Sequence, residues 1–521
     1  MFNLRGNQRT SGELSKREGG KIFGQGSRAP VAISFLVKNP NAADTGQIFY
    51  HDIGDYLTRE QKLEKVAAFG SVVGLRDAGK WAEIVPDEHN DWITQRDANF
   101  DRYVQLGNKD DKTAITVFET YSRGIETGRD AWVINSSKQK VVENCYSTIA
   151  VYNDEKRRLQ EIFNQGKFDH RSARPHLLND ETQISWTRSL INDLLKSKDV
   201  SLHREHVVQC VAKPFTMQWL YFDKHLNHER GQLPRMFPGG ETKNLAIWVT
   251  GVGATVPFAC YISGHVPSRE GPSSTQCFPL RIYDAREDDE DQDELFSAGA
   301  SANATVARDG ITDAGLQHFQ TAYPNAKISK EDIFYYVYGL LHSEEYRERF
   351  ADNLSKQLPR IPTVKQEADF WTFVEAGRKL GDLHVNYETV EPYAVTYKEG
   401  DLRLANVADP IAFYRVEQMK FAGKRPNLDK TTVIYNPNIT MTNIPLEAYE
   451  YVVNGKSALD WVMERQCVKT DKASGIVNDA NDYANETMHN PAYPLELFQR
   501  VITVSLETMK IVRSLPKLEI D

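Results

Sequence analysis

The sequence predicts a mixed α/β protein in two parts: the edge of a Rossmann-like open sheet at the amino terminus, then a larger mixed α/β domain whose last part is helical. Three observations carry this. The first seventy residues run strand, loop, helix. Between 111 and 285, apolar runs of strand type alternate with helical stretches. Beyond Lys330 the apolar residues fall at helical spacing.

From Arg5 to Arg28 the chain is polar, Gly-rich and basic, and it leads into Val31–Lys38, an apolar run bounded by Pro30 and Pro40. A short run without helical period predicts a buried strand. Ile48 to His51 forms another, and Thr58 caps a helix that turns Leu63, Val66 and Ala67 inward. A Trp-containing loop broken by Pro86 completes a first segment, 1–110, of sheet edge and connector.

Segment 111–285 holds the strand signals AITVFETY and AIWVTGVGATVPFACYI, with helices expected at 152–165 and 182–197. An acidic flexible loop, 286–310, concentrates negative charge from Glu287 to Glu294 before SAGASANAT. In 311–521, helices are expected over Lys330–Leu354 and Glu367–Leu380, with Phe334, Val337, Tyr338 and Leu341 on one face. Short strands near Thr432 and Tyr451 and helices from Ser457 and Leu495 end the chain. There is no internal repeat.

With 521 residues, 40% of them hydrophobic and 26% charged, the chain has ample capacity for a core. No apolar run reaches the roughly 18 residues that span a bilayer, and no signal-peptide core opens the sequence, so a cytoplasmic location without membrane partners is expected. The five cysteines, at 145, 210, 260, 277 and 467, form no CxxC pair and predict reduced core thiols. A net charge of -9 opposes a uniformly basic surface, so any polyanion site must be local.

Several short motifs imitate catalytic ones. GLRDAGK at Gly74 has the phosphate-loop skeleton, but Trp81 occupies the magnesium-binding Ser/Thr position. NPAY at Asn490 reads as a capped turn before a helix. His203, His206, Cys210, His225 and His228 give two HxxH pairs around a cysteine, a zinc-like spacing that packing explains as well, and no metal site is expected. No Ser-His-Asp set or nuclease cluster can be assembled, and no catalytic residue is assigned.

Longer patches are more specific. GNQRTSGE, GGKIFGQGSRAPVAISFLVK and YHDIGDYLTREQKL resemble the end of the adenine methyltransferase domain in type ISP restriction-modification enzymes, single chains that join nuclease, helicase, methyltransferase and target-recognition domains. GIETGRDAWVINSS, WLYFDKHLNHERGQLPRMFP, STQCFPLRIYD, AKISKEDIFYYVYGLLHSEEYRERF and VNGKSALDWVMERQCVKTDKASGIVNDAND continue the likeness to the end of the chain. The resemblance implies the carboxy-terminal remnant of an N6-adenine methyltransferase domain in 1–110, followed by a DNA target-recognition domain. It implies double-stranded DNA as partner. S-adenosylmethionine, ATP and magnesium would serve the full-length family enzyme, and no cofactor is expected in this chain itself.

On that footing Phe23, eight residues before Val31, is the candidate to stack on an extruded base, and Arg28 is placed near a phosphate. Candidate DNA ligands further on are Arg129 in GRDAW, Arg157, Arg158, Arg171 and Arg174 in a basic stretch, Lys224, Arg230 and Arg235 among interleaved aromatics, Arg269 in a Ser-rich loop and Lys456 in NGKS. Two alternatives stay open. The chain can be an autonomous hydrolase-like enzyme with a divergent site in 200–285, or a non-catalytic subunit that docks on a separate methyltransferase/helicase/nuclease half.

Overall fold

The structure is a computed structural model; it describes all residues except 10–11, 25–26, 42–45, 241, 255, 270–273, 286–304, 403–406, 425–426 and 521. It separates into two compact units. One comprises Met1–Arg102, Val252–Pro257 and Arg349–Gln357, and the other contains Tyr103–Gly251, Phe258–Glu348 and Leu358–Asp521.

The smaller unit is built on a four-stranded sheet in the order Val31–Ile33, Phe2–Arg5, Ile48–Asp52, Ala82–Ile84. Phe2–Arg5 runs antiparallel to the first of these and parallel to Ile48–Asp52. Its core is Phe2, Leu4, Ile22, Ile53 and Leu75. The expected buried strand at Val31–Lys38 stops at Ile33, and Phe35, Leu36 and Val37 are 69%, 91% and 91% exposed. The run lies at a sheet edge, paired only through its first three residues, so its alternate side chains meet no second layer.

Thr58 caps the helix Arg59–Phe69 as expected, in a capping box with Gln61. Leu63 and Ala67 nevertheless face solvent, while Val66 and Phe69 pack on the core. The inward position is held by Lys62, which is fully buried and donates from Nζ to the carbonyls of Glu18 (2.6 Å) and Gly20 (2.9 Å). Lys62, Val66 and Phe69 form one stripe at i, i+4, i+7, one position away from the predicted face. Gly74, of the phosphate-loop-like motif, lies inside the helix Val72–Asp77, whose N-terminus is capped by Ser71.

The first part of the larger unit contributes two four-stranded sheets. One runs Cys260–Ser263, Ala246–Val249, Gln276–Pro279, Ser122–Arg123; the other runs Val266–Pro267, Val207–Lys213, Thr216–Tyr221, Ile134–Asn135. AIWVTGVGATVPFACYI supplies the antiparallel pair with Ile247 opposite Ile262. AITVFETY forms no ladder strand; Thr116 and Phe118 make only isolated bridges to Gln105 and Ile311. The helix expected at 152–165 begins earlier, as Lys138–Asn164 behind a Ser137 cap, and that expected at 182–197 contracts to Arg188–Leu195 behind Thr187. Most of the acidic loop lies outside the described residues, but Thr305–Asp309 pairs with Arg281–Ala285, so the loop joins two strands of one hairpin. All five cysteines are buried and free.

In the later part, the expected helix Lys330–Leu354 is broken into Lys330–Leu340, Glu344–Arg349 and Ala351–Leu354. Glu367–Val385 crosses the first of these at backbone distance: a Cβ on Gly339 would stand 2.2 Å from the Phe373 carbonyl oxygen, and one on Gly377 only 1.9 Å from that of Tyr335. Across this crossing, His384 bonds the Tyr338 hydroxyl through Nδ1 (2.6 Å) and Thr508 Oγ1, on the helix Tyr493–Arg513, through Nε2 (2.8 Å). A four-stranded sheet of Thr396–Tyr397, Ile439–Thr442, Asn427–Asn436 and Lys420–Lys424 packs into the same core.

Two outcomes follow from this helical core. Gly339→Ala must push the helices apart and should lower unfolding stability by roughly 1–3 kcal/mol in denaturant melts. Burial lowers the His384 pKa from 6.5 to about 3. The unfolded chain therefore binds a proton below pH 6.5 that the folded chain refuses until about pH 3. Stability should fall as pH drops through that window, by up to about 1.4 kcal/mol per pH unit from this residue. His384→Gln should flatten the slope of denaturation midpoint against pH.

Candidate nucleic-acid interface

The sequence-selected cations fall into different environments. Phe23 is 59% exposed, so it is not a core phenylalanine. In the same unit, Arg28 donates to the Gln8 carbonyl from Nε (3.1 Å) and Nη2 (2.6 Å). In the larger unit, Arg158 forks onto Glu155 (2.6 and 2.7 Å) and reaches the His176 carbonyl (2.7 Å), while Glu155 also accepts from the Leu178 amide. Arg157 pairs with Asp154. Arg171, Arg174 and Lys224 are exposed. Arg230 lies over the Phe222 ring at 5.7 Å. Arg235 binds Asp284, which Arg308 shares with Glu119. Lys456 pairs with Glu464 and covers Trp461.

Arg129 and Arg269 are brought together, lining a cleft of about 400 Å³. Gly128 places Arg129 there. Its φ of +67° disfavours any side chain, and a Cβ would meet Thr187 Cγ2 at 2.6 Å. That close approach sets Thr187 Oγ1 2.9 Å from Arg129 Nη2. The guanidinium is buried, and its Nε and Nη1 have no hydrogen-bond partner among the described residues. Burial brings its pKa down to about 10, which still leaves it charged at neutral pH. Arg269 is held by an ion pair with Glu126, beside it through the Ile125–Ser268 bridge. Asp130, Glu181 and Asp471 add carboxylates to the lining.

A second cleft, of about 300 Å³, adjoins the first through Asp130, Ala131, Ser268 and Asp471 and carries Lys213, Arg465 and Lys469. One wall is the hairpin Val468–Thr470 and Val477–Asp479. Asn478 fastens that wall to the sheet: its Oδ1 accepts from the Ser136 amide (3.1 Å), Ser136 Oγ (2.8 Å) and Gln218 Nε2 (3.1 Å). The continuous surface thus has a buried arginine at one end, Lys213, Arg465 and the exposed Lys469 at the other, and Asp130 and Asp471 between them. Carboxylates accept from the amino groups of cytosine and adenine, and arginine donates to guanine, whereas lysines neutralise phosphate.

Sequence reading missed Lys469, Arg465 and Asn478. They lie within the long patch at Val453, but no local spacing shows that the chain folds back some 340 positions to meet Ser136. Of the zinc-like set, His203 and His206 stay side by side, and the others part from them. His206 Nδ1 lies 3.1 Å from Asp223, His225 Nδ1 2.8 Å from Asp193, and His228 Nδ1 3.1 Å from Ser189 Oγ, while Cys210 is buried apart. NPAY is structural, with Asn490 Oδ1 accepting from the Ala492 amide and Tyr493 buried against Glu388. No helix among the described residues is long and apolar enough to cross a membrane.

A family model described as the type ISP C-terminal specificity domain matches residues 116–497, which include every residue lining the two clefts. A nuclease-deletion mutant of the type ISP restriction-modification enzyme LlaGI, solved in complex with a DNA substrate mimic, is 37% identical with a TM-score of 0.83, over 100% of this chain and 44% of its own. The ATP-dependent type ISP enzyme LlaBIII, solved bound to DNA, is 32% identical with a TM-score of 0.82, over 100% of this chain and 31% of its own. DrdV, solved by cryo-EM as a DNA complex, gives 29% identity and a TM-score of 0.78, over 99% and 47%. No curated protein matches the chain. The chain spans less than half the length of each of these solved relatives, and it belongs to the type ISP restriction-modification family, of which it carries the carboxy-terminal specificity domain.

Proposed function

We propose that this chain reads an asymmetric site on double-stranded DNA for a type ISP restriction-modification enzyme acting in the cytoplasm against foreign DNA. On this reading the first cleft meets base edges through Arg129 and the carboxylates, and the cations of the second hold the backbone. The observation that carries the reading is that the family's specificity-domain match, 116–497, encloses both clefts. The solved relatives, each described in a complex with DNA, support the choice of ligand.

The smaller unit, with its exposed Phe23, completes the edge of a methyltransferase domain and stacks on an extruded adenine for N6 methylation. S-adenosylmethionine, ATP and magnesium serve the methyltransferase, motor and nuclease functions, which reside in the further length that the relatives possess. When the site is unmodified, recognition directs ATP-dependent cleavage. Whether those functions share a polypeptide with this chain or come as a partner is decided by co-purification.

Selection of bound duplexes from a random pool, at low and moderate salt, should enrich one asymmetric site, with affinity falling as salt rises. Lys469→Ala should weaken binding evenly across sequences and reduce the salt slope by about 1. Arg129→Met should instead relax specificity at one position, costing about 1–3 kcal/mol of discrimination. In the free protein the same change removes a buried charge without a carboxylate partner and should leave unfolding stability unchanged or raised. Binding without sequence preference, or equal effects of the two changes on all duplexes, would overturn the assignment.

A further inference from the structure

We propose that His203, Glu205 and His206 form a binding site for a divalent transition metal of the zinc type, on the turn that leads into the strand Val207–Lys213. One ligand atom from each of the three lies within 4.8 Å of the others. Atoms bonded at about 2.1 Å to a tetrahedral ion stand about 3.4 Å apart. His203 Nδ1 and Glu205 Oε1 are 3.3 Å apart, so an ion fits between them without rearrangement. The rings of His203 and His206 have centroids 4.9 Å apart, which places both imidazoles beside the same point.

Asp223 supplies an independent observation. Its carboxylate is buried and doubly anchored, with Oδ1 accepting from the amides of His225 (2.7 Å) and Leu226 (3.1 Å). Its Oδ2 lies 3.1 Å from His206 Nδ1. A carboxylate on Nδ1 keeps the proton there and leaves Nε2 with its lone pair, which is how metal-binding histidines are oriented and made more basic. The turn itself is fixed: residues Arg204–His206 form a 3-10 helix, the His203 amide donates to the Tyr221 hydroxyl (3.0 Å), and the Phe222 amide donates to the His206 carbonyl (2.8 Å). His203 and Glu205 are exposed and His206 is nearly buried. An ion therefore enters from solvent onto a half-prepared site, with three protein ligands and a fourth position for water. Two imidazoles and one carboxylate suit zinc, cobalt or nickel and not magnesium, which prefers oxygen ligands.

The test is calorimetric titration of the chelator-treated full chain with zinc chloride, with magnesium chloride as control. One equivalent should bind zinc and none magnesium. His203→Ala and Glu205→Gln, both at exposed positions, should each weaken zinc binding by more than about tenfold while the fold, read by circular dichroism, is kept. Cobalt(II) in place of zinc should give the intense visible absorption of a tetrahedral site, lost in His203→Ala. The cluster Glu88, His89 and Asp101 is the internal control, so His89→Ala should leave the titration unchanged. Zinc binding that survives His203→Ala, or disappears in His89→Ala instead, overturns the site, as does the absence of any saturable zinc binding. DNA binding enters none of these readouts, so the two proposals fail separately.

Discussion

The interface rests on one side-chain carbonyl. Asn478 Oδ1 gathers three donors from Ser136 and Gln218, joining a hairpin near the end of the chain to a sheet formed from its first half. Around it, Asn135 Nδ2 donates to the Val477 carbonyl (3.1 Å), Ser137 Oγ to Glu486 (2.7 Å) and Lys140 Nζ to Asp482 (2.6 Å). Each bond alone contributes only about 1 kcal/mol net, but closing a loop of some 340 residues is an entropic cost met once for the set. The cleft carrying Lys213 and Lys469 exists only because this closure places Thr470, Asp471 and Asn478 beside Thr216 and Gln218.

Arg129 is the energetic exception in the larger unit. A buried cation normally has a carboxylate, and here the nearest bonded oxygen is a neutral hydroxyl. Asp130 is adjacent in sequence, yet it accepts from Thr127 Oγ1 and begins the short helix Asp130–Val133. The chain therefore holds a desolvated donor fork at the wall of a cleft. Nε and Nη1 are closed to solvent, so a ligand that presents acceptors would gain what folding has left unsatisfied only once a side-chain movement opens them to the cleft. On the proposed reading, that is why Arg129 would act on bases and not on the solvated backbone.

Legibility in the sequence followed the range of the interactions. The helix capped at Thr58, the helix starts at Lys330 and Ser457, the strand-type run at Ala246 and the free buried cysteines were readable, because each depends on neighbours a few residues away, whereas the caps at Ser137 and Thr187 were missed. The inward turn of Lys62 was not, since a lysine is ordinarily solvated and the carbonyls that hold it belong to Glu18 and Gly20. Gly339 and Gly377 interrupt no pattern that a single sequence reveals, yet they let two helices touch. In the site, GRDAW drew attention to Arg129, which the structure places in the lining of the first cleft. The ion pairs that occupy Arg235 and Lys456 depend on the folded surface and were invisible, whereas that of Arg158 with Glu155 is an i, i+3 pair on one helix.

On the proposed reading, exposed ion pairs also explain how a chain of net charge -9 would accommodate a polyanion. An exposed ion pair contributes about 0–1 kcal/mol, so a phosphate can displace its carboxylate at little cost, and the protein need not carry uncompensated positive charge when free. Arg269, partly exposed and paired with Glu126, is of this kind. Arg158 is not: its partner Glu155 is only 8% exposed and also caps the Leu178 amide, so drawing the guanidinium away would strand a buried carboxylate. Charge balance thus sorts the arginines by the burial of their partners, and the pair that lines the cleft is among the exchangeable ones.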